Sequence, residues 1–205
     1  MNVSQFVEGY LEDVRAIAEK ISVADVERVI DILFSAWRSG GRVYCCGNGG
    51  SASTATHFAC DLAKTAAPPG RRGLKVECLN DNPPLMLALI NDEGFENLYV
   101  EQLKTKLEPG DCLVCISVHG GAGADRAGPW SQNLLKAMLY VKESGGKTIG
   151  LSGFDGGPMQ EVADACIVVP AHSTPQVESF HLALEHLICS CIRERIAEDG
   201  EGSVP

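Results

Sequence analysis

The stretch Tyr44–Thr65, YCCGNGGSASTATHFACDLAKT, decides the reading of this chain. An apolar run ends at Gly47, a glycine cluster follows, and a small-residue segment then carries His57 and Asp61, four positions apart. "RVYCCG" is a strand, "GNGGS" the turn, and "SASTATHFACDLAK" the helix that leaves it. Glycines let the backbone come close to a ligand, and a helix N-terminus offers unpaired N–H groups at the positive end of its dipole. Ser51 and Ser53 add hydroxyl donors, so the turn has anion-binding chemistry.

Working outward, "GLKVECL", "DCLVCIS", "KTIGLSG" and "ACIVVP" are further short apolar runs, each bounded by Gly, Asp or Pro and separated by helical segments. Strands that are apolar on both faces and alternate with helices belong to a parallel sheet covered on both sides. Five such strands predict an α/β fold with a flavodoxin-like five-stranded parallel sheet, in which ligands bind beyond the carboxyl ends of the strands. Two helices precede it. Val7, Leu11, Val14, Ile17 and Ile21 form one helical stripe; Ser22 opens the next helix with a capping box, Val26, Val29, Ile30, Leu33 and Trp37 make its stripe, and "SGGR" ends it. A last helix is predicted from about Pro175 to about Ala197, with Phe180, Leu184, Leu187 and Cys191 as its apolar stripe. The expected organisation is one domain: a helical pair over residues 1–40 that also serves as an oligomer contact, the sheet-bearing part over 41–197, and a disordered polar tail over 198–205.

The chain has 205 residues, enough for one such domain and its core. A formal net charge of −10 argues against non-specific nucleic-acid binding and against an anionic membrane surface. No secretory signal opens the sequence and no apolar run approaches the ~18 residues of a membrane span, so a cytoplasmic location is expected. The nine cysteines are odd in number and sit mostly inside apolar runs, which predicts reduced, buried thiols. Cys112 and Cys115 form a CxxC, but within a strand their side chains alternate faces, against a redox pair.

Gly47, Gly49 and Ala52 also satisfy the G-x-G-x-x-[GA] fingerprint of dinucleotide binding, for which Glu77 is only a loose candidate as the required acid. A nicotinamide-dependent dehydrogenase is therefore one alternative, but it leaves His57 and Asp61 unused. Those two share a helix face, and by themselves they suit a solvated surface. They gain weight from "PQVESFHLALEHLIC", where Glu178 and His186 lie eight apart, about 80° round the helix. His57, Asp61, Glu178 and His186 make a nitrogen–oxygen set suited to a divalent metal such as zinc, or to acid–base work. His181 and Glu185 compete for these roles on the same helix, although His181 points about 140° away from His186.

"GNGGSASTATHF", the strand order, "ISVHG", "LSGFDGG" and "HLALEHLI" resemble the SIS (sugar isomerase) domain family, and within it most closely the phosphoheptose isomerases. The resemblance covers nearly the whole chain. It implies a homotetramer with active sites at subunit contacts, interconverting a ketose and an aldose phosphate, with zinc or another divalent metal, one per subunit. It implies Asp61 as base, His186 as acid, and His57, Asp61, Glu178 and His186 as metal ligands. Asn48, Gly49, Gly50, Ser51, Asp92, Ser117, His119, Ser131 and Glu178 become the substrate contacts, with Ser51, Ser117 and Ser131 on the phosphate. Three departures stand out: Asp61 replaces the family's usual Glu, Glu178 stands where many members carry Gln, and "ISVHGGAGADRAGPWSQN" puts His119 at the second serine of the phosphate loop and inserts residues Ala122 to Pro129. Arg126 and His119 add positive donors there. An isomerase of a hexulose or octulose phosphate, or a non-catalytic SIS module that binds a sugar phosphate or tethers other proteins, are the remaining alternatives.

Overall fold

A computed structural model describes residues 2–121 and 131–199 of the chain. Its centre is a five-stranded sheet: β1 (Arg42–Gly47), β2 (Lys75–Cys78), β3 (Cys112–Ile116), β4 (Lys147–Gly153) and β5 (Ala165–Val169). The strands are all parallel in the order β2-β1-β3-β4-β5, the flavodoxin-like arrangement expected from the sequence. The switch in winding falls between β1 and β3, so the turn after β1 opens on the crevice at the carboxyl edge.

Strand alternation divides the core into two layers. Val43, Cys45, Cys112, Val114, Ile149 and Ile167 face helices α2 (Val23–Ser39), α3 (Gly50–Lys64) and α8 (Thr174–Glu198). Tyr44, Cys46, Leu113 and Cys115 face the opposite layer, which includes α5 (Leu98–Leu103), α6 (Gln132–Glu143) and α7 (Gly157–Val162). Cys112 and Cys115 accordingly lie in different layers, and all nine cysteines are free thiols, seven of them buried. No helix among the described residues is long and apolar enough to cross a membrane.

The two leading helices differ in how far the chain itself covers them. In α2, Ser22 caps the N-terminus by accepting from the Asp25 amide, and Gly40 ends it in the left-handed conformation. Its predicted stripe of Val26, Val29, Ile30, Leu33 and Trp37 is buried throughout. In α1 (Val3–Ala18) only Ile17 is buried, while Phe6, Val7 and Leu11 stand largely in the open. Helix α4 (Pro83–Glu93), with the sequence PPLMLALINDE, has no buried residue.

Helix α8 departs from the expected stripe. Its inward face is Val177, His181, Leu184, Glu185, Ile188, Ile192 and Ile196, so two polar side chains lie within the core stripe. Leu187 is 45% exposed, and Phe180, Leu187 and Cys191 instead line an apolar groove of about 530 Å³ shared with Ile21, Val26 and Ile30. Apolar spacing alone points to the groove side, because both sides of α8 carry apolar residues and the buried one is interrupted by His181 and Glu185.

Candidate active site

The glycine turn after β1 is held by a set of hydrogen bonds. Gly49 has φ +56°, a conformation that L side chains rarely adopt. The amide of Gly47 donates to Asn80 Oδ1 (3.1 Å), and its carbonyl accepts from Asn80 Nδ2 (3.0 Å) and from the Tyr99 hydroxyl (2.5 Å). The side chains of Asn48 and Asn133 exchange reciprocal amide hydrogen bonds of 3.0 and 2.9 Å. Asn80, Tyr99 and Asn133 were not singled out from the sequence. Their signal is faint: polar residues at the ends of otherwise apolar strands and helices, where Asn80 and Tyr99 bind the turn's backbone and Asn133 the Asn48 side chain.

Ser51 is buried at the start of α3, and Ser53 lines an apolar hollow with Ala52, Thr56, Pro83 and Met86. Ser117 follows β3 and its Oγ accepts from the Gly121 amide at 3.2 Å. The His119 ring packs on Phe154, centroids 4.3 Å apart, and Phe154 has φ +55°. Ser131 sits at the N-cap of α6 without a side-chain capping bond. Asp92 is exposed on the last turn of α4 and accepts from its neighbour Asn91. Residues Ala122 to Pro129, with Arg126, lie outside the described residues. Glu77 is held by Arg42 and Lys106, at 3.1 and 2.5 Å, an ion-paired role that leaves the dinucleotide reading without its acid.

Helices α3 and α8 both leave the carboxyl edge and run side by side. A Cβ on Gly50 would meet Glu178 Oε1 at 2.5 Å, so the Glu178 carboxylate stands against the first turn of α3. Seven residues further along each helix, His57 Nδ1 is 3.2 Å from Glu185 Oε1. Equal steps along both helices mean that they run in the same direction and keep register.

At that second level the chain gathers its acid–base groups. Asp61 Oδ2 lies 3.7 Å from His57 Nε2 and 3.6 Å from His186 Nε2, while Thr65 donates to Asp61 Oδ1 at 3.0 Å. The two imidazoles meet edge to face with centroids 5.1 Å apart. Two donors on one zinc ion, each at roughly 2.0–2.2 Å, would be separated by about 3.4 Å, so the spacing from Asp61 to each histidine fits a shared cation. His57, Glu185 and His186 also place one ligand atom each within 4.8 Å of the others. The fourth side chain at this level is therefore Glu185, fully buried, whereas Glu178 is at the turn. The physical reason is axial. Glu178 and His186 are close in angle, but eight residues of helix separate them by about 12 Å along its axis.

Burial, reinforced by the charge of Asp61, pushes the Glu185 carboxyl up to about 8. His181 lies apart from the group: it is 1% exposed, its Nε2 is 3.0 Å from the Ser152 carbonyl, and burial lowers its pKa to about 4. That ring is a neutral core donor.

A doubly wound sheet, a glycine turn opening a helix at its switch point, and a histidine–carboxylate group beside that helix together suit an α/β enzyme acting on a small anionic substrate. The family follows from comparison. Residues 9–153 match the SIS domain, and the chain belongs to the SIS domain family. A phosphoheptose isomerase of Rhodospirillum rubrum is 38% identical over 170 residues, covering 80% of this chain and 82% of that protein. The lincomycin biosynthesis protein LmbN of Streptomyces lincolnensis is 45% identical over 162 residues; they cover 77% of this chain but only 58% of that protein. The solved phosphoheptose isomerase GmhA of Neisseria gonorrhoeae superposes with a TM-score of 0.81 at 27% identity, covering 94% of this chain and 100% of that one. The chain is thus a SIS-family enzyme of the sugar-phosphate isomerase class.

Proposed function

We propose that the chain interconverts sedoheptulose 7-phosphate and an aldoheptose 7-phosphate by enediol chemistry. The observation that carries this reading is the placement of Asp61 Oδ2 between two imidazole Nε2 atoms, at 3.7 and 3.6 Å, on the helix that begins at the anion-binding turn. Asp61 takes a proton from C1 of the ketose, and His186 gives a proton to the C2 oxygen as the C2 carbonyl becomes an enediol hydroxyl. Return of a proton to C2, with loss of the O1 proton, leaves an aldehyde at C1. The phosphate rests on the GNGGS turn with Ser51, Ser117 and Ser131, where backbone amides and hydroxyls supply donors and hold the reacting carbons in place. Asn48 and Asp92 are sugar contacts in this scheme, with His119 beside the phosphate loop.

The distance between the two levels supports a substrate of this length. Seven helical residues span about 10 Å, and an extended heptulose reaches roughly as far from C1 to phosphorus at about 1.2 Å per bond.

His57, Asp61 and His186 would hold a divalent cation, zinc being the fitting choice for nitrogen and carboxylate donors. Such an ion polarises a carbonyl and stabilises developing negative charge on oxygen. Glu178, beside Gly50 in the same chain, reaches this level only from another subunit. The uncovered apolar faces of α1 and α4 support a homo-oligomer, a tetramer by family resemblance, with a cytoplasmic enzyme as the setting. The test is to follow aldose phosphate by NMR with protein of measured metal content. Turnover that chelation removes and zinc restores supports the full reading; a zinc-loaded protein without turnover on this substrate refutes it.

A further inference from the structure

Glu185 lies in the inward stripe of α8 with its side chain wholly removed from solvent, and neither carboxylate oxygen has a hydrogen-bond partner among the described residues. A carboxylate buried in this way needs a compensating group, because desolvation without a partner is costly. What lies within reach is the His57 ring: Oε1 is 3.2 Å from Nδ1, and 3.9 Å from His186 Nε2. The other nitrogen of His57 faces Asp61. A histidine that offers Nε2 to a cation carries its proton on Nδ1, and ligating histidines donate that proton to a carboxylate or carbonyl, which fixes the tautomer and the ring plane.

We propose that Glu185 is the positioning residue of the metal site: its buried carboxylate accepts the Nδ1 proton of His57 and holds Nε2 toward the ion shared with Asp61 and His186. The inference rests on the metal reading above and adds a residue to it. Glu185 does not touch the reacting atoms; it acts through His57. The buried carboxyl in turn gains a hydrogen-bond partner when the imidazole is polarised by the cation, so the group is satisfied only in the loaded protein. A small rotation of the ring aligns Nδ1–H with Oε1, since the two atoms are already at hydrogen-bonding distance.

The test measures zinc affinity by competition with a chromophoric chelator, together with the melting temperature of the metal-free protein, for wild type, Glu185→Leu and Glu185→Gln. Glu185→Leu should bind zinc 10- to 100-fold more weakly, the range for loss of an outer-shell partner. Its metal-free form should melt no lower than wild type, because a buried carboxyl without a hydrogen-bond partner among the described residues has been replaced by apolar volume. Glu185→Gln keeps an acceptor without the charge and should fall between the two. In zinc-loaded wild type, the His57 Nδ1 proton should be visible by nitrogen-15 NMR. Wild-type zinc affinity in either variant overturns the proposal. So does equal, severe weakening in both, which would make Glu185 a direct ligand. A wild-type protein that binds no zinc removes the metal reading itself, an outcome distinguished from the others because it shows before any substitution. Should Glu185→Leu fail to fold, Glu185→Gln and the NMR signal decide alone.

Discussion

Lowering the pH below 6.5 should destabilise this protein in part through His181. The ring is 1% exposed, its Nε2 lies 3.0 Å from the Ser152 carbonyl, and Nδ1 is buried without a hydrogen-bond partner among the described residues. Burial disfavours the imidazolium and sets the folded pKa at about 4, against 6.5 for the ordinary group. Above pH 6.5 neither state binds the proton and the contribution is constant. As pH falls through 6.5 the unfolded chain takes up a proton that the folded chain refuses, so stability declines and keeps declining until about pH 4. At one pK unit per ~1.36 kcal/mol, the loss between pH 8 and pH 5 is about 2 kcal/mol. His181 is not the only titratable group in the chain, so the measurement must be differential. Urea denaturation of metal-free wild type and His181→Gln at pH 8 and pH 5 isolates the term: the glutamine amide preserves a donor toward Ser152 but does not titrate. The variant should lose about 2 kcal/mol less than wild type over that interval. Equal losses in the two proteins would refute the assignment of His181 as a neutral core donor.

Three further outcomes follow from the geometry. Asp61→Asn should lower kcat/KM at least 100-fold, the lower range for losing a general base, with unchanged far-UV circular dichroism and a melting point within a few degrees; undiminished turnover removes Asp61 from the chemistry. Leu11→Glu, on the uncovered face of α1, should shift the protein to a smaller assembly in light scattering while it stays folded, since burying a leucine contributes roughly 1.5–3 kcal/mol at each contact; an unchanged mass would show that α1 lies outside the interface. Burial raises the Asp164 pKa, but hydrogen bonds from the Thr148 amide and hydroxyl, both 2.9 Å, outweigh it and hold the carboxyl below its ordinary value. Asp164→Ala should therefore cost about 2 kcal/mol at neutral pH by orphaning the buried Thr148. Because the folded pKa is depressed, that cost should shrink as pH falls below about 4, which denaturation at pH 7 and pH 3 checks.

The fold was legible because its signals are local. Each strand is an apolar run bounded by a breaker, and β1 through β5 fall where those runs lie. Strand period predicted that Cys112 and Cys115 would face apart, and they do. Helix α2 was equally readable, since a serine cap, an unbroken stripe and a glycine stop agree at every level. Helix α1 shows where such signals stop. Its stripe is as regular as that of α2, yet only Ile17 of it is buried and Val7 and Leu11 are exposed, because periodicity reports that a face seeks a partner and not whether the partner is in the same chain.

The site was legible in angle but not in height. A helical wheel puts Glu178 within 80° of His186 and leaves out the axis, along which they stand about 12 Å apart. Two parallel helices in register make height the deciding coordinate, and it pairs Gly50 with Glu178 and His57 with Glu185. The same register was present in the sequence as equal spacings, seven residues from Gly50 to His57 and seven from Glu178 to Glu185. It becomes readable only once the two helices are known to be neighbours running the same way, which is a property of the sheet order. Glu185 was further disguised by its environment. A charged residue in the inward stripe of a helix breaks the apolar pattern and reads as the solvent side, yet the fold tolerates it because His57 and His186 stand beside it. A position where pattern and burial disagree is therefore where a functional group is to be sought in this chain, and α8 holds two: His181, whose Nε2 meets a backbone carbonyl, and Glu185, whose carboxylate meets the site.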